Sequence, residues 1–196
     1  MKKLVIAVIL LVVVVGGAGG AYWYFVASTP AKLKQHLQAI QNKWLTDKVL
    51  IDAILESNRN AISWDEAKVK ALDDKWRSEK ISGKYDLINE IFNSRASSFV
   101  RELKANSNGL YKEIIVMNDK GTNVGMSDIT SDYWQGDEAK WQQTYLKGAG
   151  ATHIAETEFD ESTLSYSTQF SFTVTNPEDQ QPIGAITLGV SLNHLK

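Results

Sequence analysis

The chain has 196 residues, 43% of them apolar and 22% charged, with a mean hydropathy of −0.24. That is the length and composition of one folded domain with appended segments, and it excludes a disordered, collagenous or polytopic membrane chain. A net charge of −2 without a basic stretch excludes an electrostatic footprint for nucleic acid. The absence of cysteine excludes disulfides, thiol nucleophiles and cysteine zinc sites.

Lys2 and Lys3 precede an uncharged run of 24 residues from Leu4 to Ala27. As a helix it would be about 36 Å long, enough for a hydrocarbon core of about 30 Å. A cleaved signal peptide is the rival reading, with Gly16-Gly17-Ala18 or Gly19-Gly20-Ala21 at the cut. The run continues, however, into Tyr22-Trp23-Tyr24-Phe25, aromatics that favour a membrane–water boundary. Residues 1–27 are therefore read as an uncleaved transmembrane anchor. The two lysines place the N-terminus in the cytoplasm and everything after Ser28 outside it. No second apolar stretch of spanning length follows, so the expected output route is a partner protein in the membrane.

Residues 28–104 carry a net charge of +3 and residues 105–196 a net charge of −7. The contrast predicts a basic helical segment next to the membrane and an acidic distal module. After Pro30, the residues Leu33, Leu37, Ile40, Trp44, Ile51 and Ile54 form an apolar stripe at helical spacing, interrupted by Asp47. The stripe packs on helices of the same chain or forms a seam to a second copy. Ser63-Trp64-Asp65-Glu66 has the form of a capping box and predicts a helix from there to about Ile81, stopped by Gly83. A third helix is predicted from about Tyr85 to Lys104.

The period then changes. Lys112 to Asn118 and Thr122 to Met126 read as a hairpin around Asp119-Lys120-Gly121. Asp137 to Lys147 reads as a helix, Thr152 to Glu158 as a strand, and Leu164 to Thr175 as a strongly alternating strand. Pro182 to Leu192 closes the sheet. The fold class is α+β: long membrane-proximal helices over 28–104, then over 105–196 an antiparallel, PAS-like sheet of about five strands with helices on one side.

These segments carry a resemblance. Ile115 to Val124, then Thr130-Ser131-Asp132-Tyr133-Trp134-Gln135-Gly136-Asp137-Glu138 with Trp141, resemble the Cache (PDC) family of bacterial extracytoplasmic sensors. Phe159-Asp160-Glu161-Ser162, Tyr166 and Gln169, and Ile183 to Val190 extend the likeness, which covers roughly residues 31–192. The resemblance implies a PAS-like sensor domain outside the bacterial inner membrane that recognises a small ligand. Receptors of this family usually couple such a domain to a kinase, cyclase or chemotaxis output. A homodimer through the N-terminal helix is the other expected assembly.

The expected ligand-binding residues are Thr130, Asp132, Tyr133, Asp137 and Trp141, then Asp160 and Tyr166. Binding sites combine apolar walls with a few placed polar groups. Aromatics next to carboxylates suit an amine or a quaternary cation, and the expected partner is a small molecule such as an amine or an amino acid. The bland role for the same residues is turn capping and core packing. On the following strand Tyr166, Thr168 and Phe170 share one face, and Ser167, Gln169 and Ser171 the other. The pattern leaves open which of the two lines a pocket.

No cofactor or resident metal is implied. The three histidines, His36, His153 and His194, are far apart and form no metal-ligand pair. No nucleophile elbow or phosphate-binding glycine loop is present, so an enzyme is not expected. Asp132, Asp137 and Glu138 are hard oxygen ligands, but their spacing does not match a calcium-binding loop. The alternative to a ligand sensor is a structural or regulatory subunit that uses this fold for protein contacts.

Overall fold

The computed structural model describes residues 35–160 and 165–194. The anchor expected over residues 1–27 lies outside the described residues. No helix among the described residues is long and apolar enough to cross a membrane.

Helical residues 35–44 (α1) place Leu37, Ile40 and Trp44 in the core. Asp47 interrupts the apolar stripe because a new helix starts there. Its carboxylate accepts from the Val49 amide at 2.9 Å and caps α2 (Lys48–Asn60), supplying a partner to an amide that has none within the helix. The next helix, α3 (Glu66–Ser82), does not use the capping box expected at Ser63. The chain turns at Ala61, with the Trp64 amide donating to the Ala61 carbonyl at 2.9 Å, and Ser63 is left in that turn. Asp65 is the cap, accepting from the Lys68 amide at 2.8 Å. Gly83 ends α3 in the left-handed region, as its position predicts. The single helix expected over 85–104 is two, α4 (Leu87–Phe92) and α5 (Arg95–Ala105). The break falls at Ser94, whose hydroxyl accepts from the Ser97 amide at 3.1 Å and caps α5.

Among the described residues six strands form one antiparallel sheet: β1 (Tyr111–Met117), β2 (Asn123–Met126), β3 (Thr152–Ile154), β4 (Glu158–Asp160), β5 (Ser165–Thr175) and β6 (Pro182–Ser191). The spatial order is β2-β1-β6-β5-β3, with β4 also paired to β5. This is a PAS-like sheet. It has one strand more than expected because the segment predicted as a single strand from Thr152 divides in two, and both pieces pair with β5. Gly121, at a φ of 76°, makes the β1–β2 turn, and a Cβ there would lie 2.6 Å from the Gly136 backbone.

Alternation splits the sheet into two unlike faces. Ile114, Val116, Phe170, Phe172, Val174, Ile186, Leu188 and Val190 join α1, α2 and Val100 of α5 in one continuous core. On the other face Ile115, Met117 and Ala185 pack under Trp141 and Tyr145. Trp141 belongs to α6 (Ala139–Gln142) and Tyr145 to the 3-10 turn that follows. Helical elements therefore lie on both faces, not one. The helix expected over 137–147 is cut short at Thr144, whose hydroxyl folds back onto the Lys140 carbonyl at 2.6 Å. Beyond the β2 edge, Trp76 of α3, Leu87 and Ile88 of α4, Met126 and Tyr133 form a second cluster.

One irregularity positions the site. Tyr111 pairs with Val190 but Glu113 pairs with the adjacent Gly189, so β1 carries a bulge at Lys112. In a regular strand residues two apart share a face. Here Tyr111 turns to α1, its ring 5.8 Å from that of Trp44, whereas Glu113 belongs to the opposite face.

Candidate ligand cavity

Trp141 and Tyr145 cover one end of the second sheet face. At the other end lies a cavity of about 450 Å³, within the size range of small-molecule sites. Adjacent strands build its floor: Glu113 of β1, Gly189 of β6, and Ser167 and Gln169 of β5. Asp128 and Glu138 enter from the segment after β2. Glu156 and Glu158 enter from the segment that holds β3 and β4. The face of β5 that carries Ser167 and Gln169, left open by the sequence pattern, is thus the one that lines a cavity.

The lining holds five carboxylates and one cationic side chain, Lys112. Two of the carboxylates have lysine partners. Asp128 pairs with Lys104 at 2.6 Å and Glu138 with Lys140 at 3.1 Å. Lys112 donates to the Ser165 hydroxyl at 2.6 Å. Gln169 donates its amide to Glu113 at 2.9 Å, a bond that brings no charge. Glu156 and Glu158 make no ion pair among the described residues. Three carboxylates without an ion pair therefore stand against Lys112, and the cavity favours a cation. Among the described residues no cluster of carboxylates and histidines could hold a metal ion.

None of the seven residues expected to bind ligand is among those lining this cavity. Five of them belong to the cover that leads from β2 to α6. The Thr130 hydroxyl donates to the Asp132 carbonyl at 2.6 Å. The Asp132 carboxylate accepts from Gln135 at 2.6 Å and meets Arg77 of α3 at 3.4 Å. Tyr133 is buried against Trp76, ring centroids 5.5 Å apart, and burial pushes its hydroxyl up to about 12. Trp141 donates its ring N–H to the Asn118 carbonyl at 3.1 Å. Asp137 is exposed just before α6. Asp160 ends β4, opposite Ser165. Tyr166 is 43% exposed and its ring lies 4.8 Å from that of Phe159.

The same cover is fastened to the helices. Asp73 of α3 accepts from the Tyr133 and Trp134 amides at 2.8 and 3.0 Å. Lys80 donates to the Thr130 carbonyl at 2.9 Å. Among the lining residues that sequence reasoning did not select, Glu113 carried a signal: it is the acidic residue inside the β-rich run Lys112 to Asn118. Glu156 and Glu158 carried a weaker one, the acidic–any–acidic spacing of a single strand face.

Neither a protein-family model nor a curated protein matches the chain. Solved structures do. The sensor domain of the Vibrio cholerae histidine kinase DctB matches over 90% of this chain and 57% of its own, at 12% identity and a TM-score of 0.43. The ligand-binding domain of the Campylobacter jejuni chemoreceptor Tlp3, solved with 4-methylisoleucine, matches over 85% and 61%, at 15% identity and a TM-score of 0.39. The ligand-binding domain of the Pseudomonas aeruginosa amino acid chemoreceptor PctC, solved with GABA, matches over 82% and 62%, at 14% identity and a TM-score of 0.40. The chain thus spans about three fifths of each of these structures.

Proposed function

We propose that this chain is an extracytoplasmic sensor domain that binds a small ligand bearing an ammonium group in the cavity on the second sheet face. The observation that carries the reading is the charge of that cavity: Glu113, Glu156 and Glu158 without an ion pair, against Lys112. Amines and amino acids are the ligand class such a lining selects. In this reading Thr130, Asp132, Tyr133, Asp137 and Trp141 serve the site by framing the cover that brings Asp128 and Glu138 to it. Asp160 and Tyr166 flank the strands at its rim. The apolar run Leu4 to Ala27 anchors the domain in the bacterial inner membrane, N-terminus inside, with the sheet in the periplasm or outside the cell. Output passes through a membrane partner or a homodimer.

The test is a thermal-shift screen of the full chain in detergent against amino acids, alkylamines, organic acids and divalent cations. A ligand at a hundred times its dissociation constant adds about 2.7 kcal/mol to stability. Compounds with an ammonium group should stabilise the chain, and organic acids should not. Stabilisation by organic acids alone would overturn the reading. Protein contact is the second reading, favoured by the exposed Ile154, Phe159 and Tyr166 beside the β4–β5 pairing. A stable chain that no small molecule stabilises would favour it.

A further inference from the structure

Glu113 differs from the other carboxylates of the cavity in how it is held. Asp128 and Glu138 each have a lysine beside them. Glu156 and Glu158 are exposed on the rim, where water and salt screen their charge. Glu113 is half-buried on the floor, where a carboxylate acts through less water and attracts a cation more strongly. Among the described residues its carboxylate has one hydrogen-bond partner, Gln169, which donates to Oε1 at 2.9 Å and brings no charge.

The strand beside it makes room. A Cβ at position 189 would lie 2.9 Å from Glu113 Cγ and 3.3 Å from the Glu113 backbone nitrogen. Gly189 does not have a positive φ, so its backbone conformation does not call for glycine. The space above it is what matters. The Glu113 side chain lies across β6 where any other residue at position 189 would stand.

We propose that Glu113 determines the specificity of this cavity by receiving the ligand's ammonium head, and that Gln169 and Gly189 are positioning residues that hold its carboxylate at the floor. The inference rests on the reading of the cavity as an amine site. Gln169 occupies one carboxylate oxygen, and Oε2 is left for the ligand's N–H donors. Gly189 keeps the side chain low, so the ligand enters between the Glu113 carboxylate and the rim.

Calorimetric titration of the full chain with short straight-chain alkylamines, and with the matching carboxylic acids, tests it. The wild-type chain should bind an alkylamine and not its acid. Glu113→Gln, which keeps shape and removes charge, should weaken that binding by at least about tenfold, as expected for loss of a charge-assisted hydrogen bond, with an unchanged melting temperature. Gly189→Ala should also weaken it. In a Glu113→Ala background, however, Gly189→Ala should add no further loss, because the side chain it displaces is already gone. A merely structural glycine would give additive losses, which would overturn the positioning role. Alkylamine binding that survives Glu113→Gln within about twofold would overturn the proposal and leave the amine reading standing. A wild-type chain that binds no alkylamine would remove both.

Discussion

Glu79 belongs to α3, yet its carboxylate works at the start of α4. Its two oxygens accept from the Leu87 and Ile88 amides at 3.0 and 2.9 Å. Burial alone would push the group up, but those amides and Lys75 outweigh it and hold Glu79 below its ordinary 4.5. A carboxyl lowered in the folded state contributes stability that is present above its unfolded pKa and is lost as pH falls through the folded value. Acid titration of stability should therefore show a loss below about pH 4.5 that is smaller in Glu79→Gln. Equal acid profiles for the two chains would show that this carboxylate does not fasten the two helices. Neither partner of the contact was legible beforehand. Glu79 lies on a helix of mixed charge, and its amide partners follow eight and nine residues later, beyond the range of helical spacing rules. Glu113 lay closer to reach: an acidic residue in a buried β run needs a reason, and a cavity is one.

Helix ends were partly legible because capping chemistry is local. Gly83 ends α3 where glycine has most to offer, whereas Asp47, expected only to interrupt an apolar stripe, caps α2. The capping box misled because two caps compete within three residues. Ser63 has the spacing, but the turn at Ala61 leaves Asp65 as the last non-helical residue. Asp65→Ala should lower stability by about 1 kcal/mol, and Ser63→Ala should change it by less than about 0.5 kcal/mol, read by urea denaturation. The reverse order would restore the box. The same competition hid the break at Ser94, where continuous apolar spacing masks a capping serine. The strand split at Ala155–Thr157 had no local signal. It reflects two separate stretches of pairing with β5, a tertiary fact.

The charge contrast along the chain suggests two modules, but the largest apolar cluster runs through both. Leu37, Leu50 and Ile54 share it with Phe172, Ile186 and Leu188. The described helices α1, α2 and α5 and the sheet should thus unfold together. Ile54 is fully buried at their junction, and Ile54→Ala should cost about 2–5 kcal/mol. Far-UV and near-UV circular dichroism should report one coincident transition, shifted equally by the substitution. Two separated transitions would make the helices an independent unit. The strands were legible from alternation and turn signals, but their order in the sheet and the covering of both its faces were not. The cavity was not, because its lining comes from strands adjacent only in space and from a cover whose most conspicuous residues are spent on holding that cover in place.

The bulge at Lys112 gives β1 two reading frames. Upstream of it the strand is in phase with the apolar core, where Tyr111 meets Trp44; downstream, Glu113 is in phase with the cavity. The acidity of the floor is therefore encoded partly in the register of the pairing with β6. Deleting Lys112 would make Tyr111 and Glu113 successive residues of a regular strand, and each would keep the face it has now. Straightening the strand with Lys112 kept in the ladder would instead set the two on one face. Either a tyrosine would then be withdrawn from the helices or a carboxylate would be driven into apolar packing.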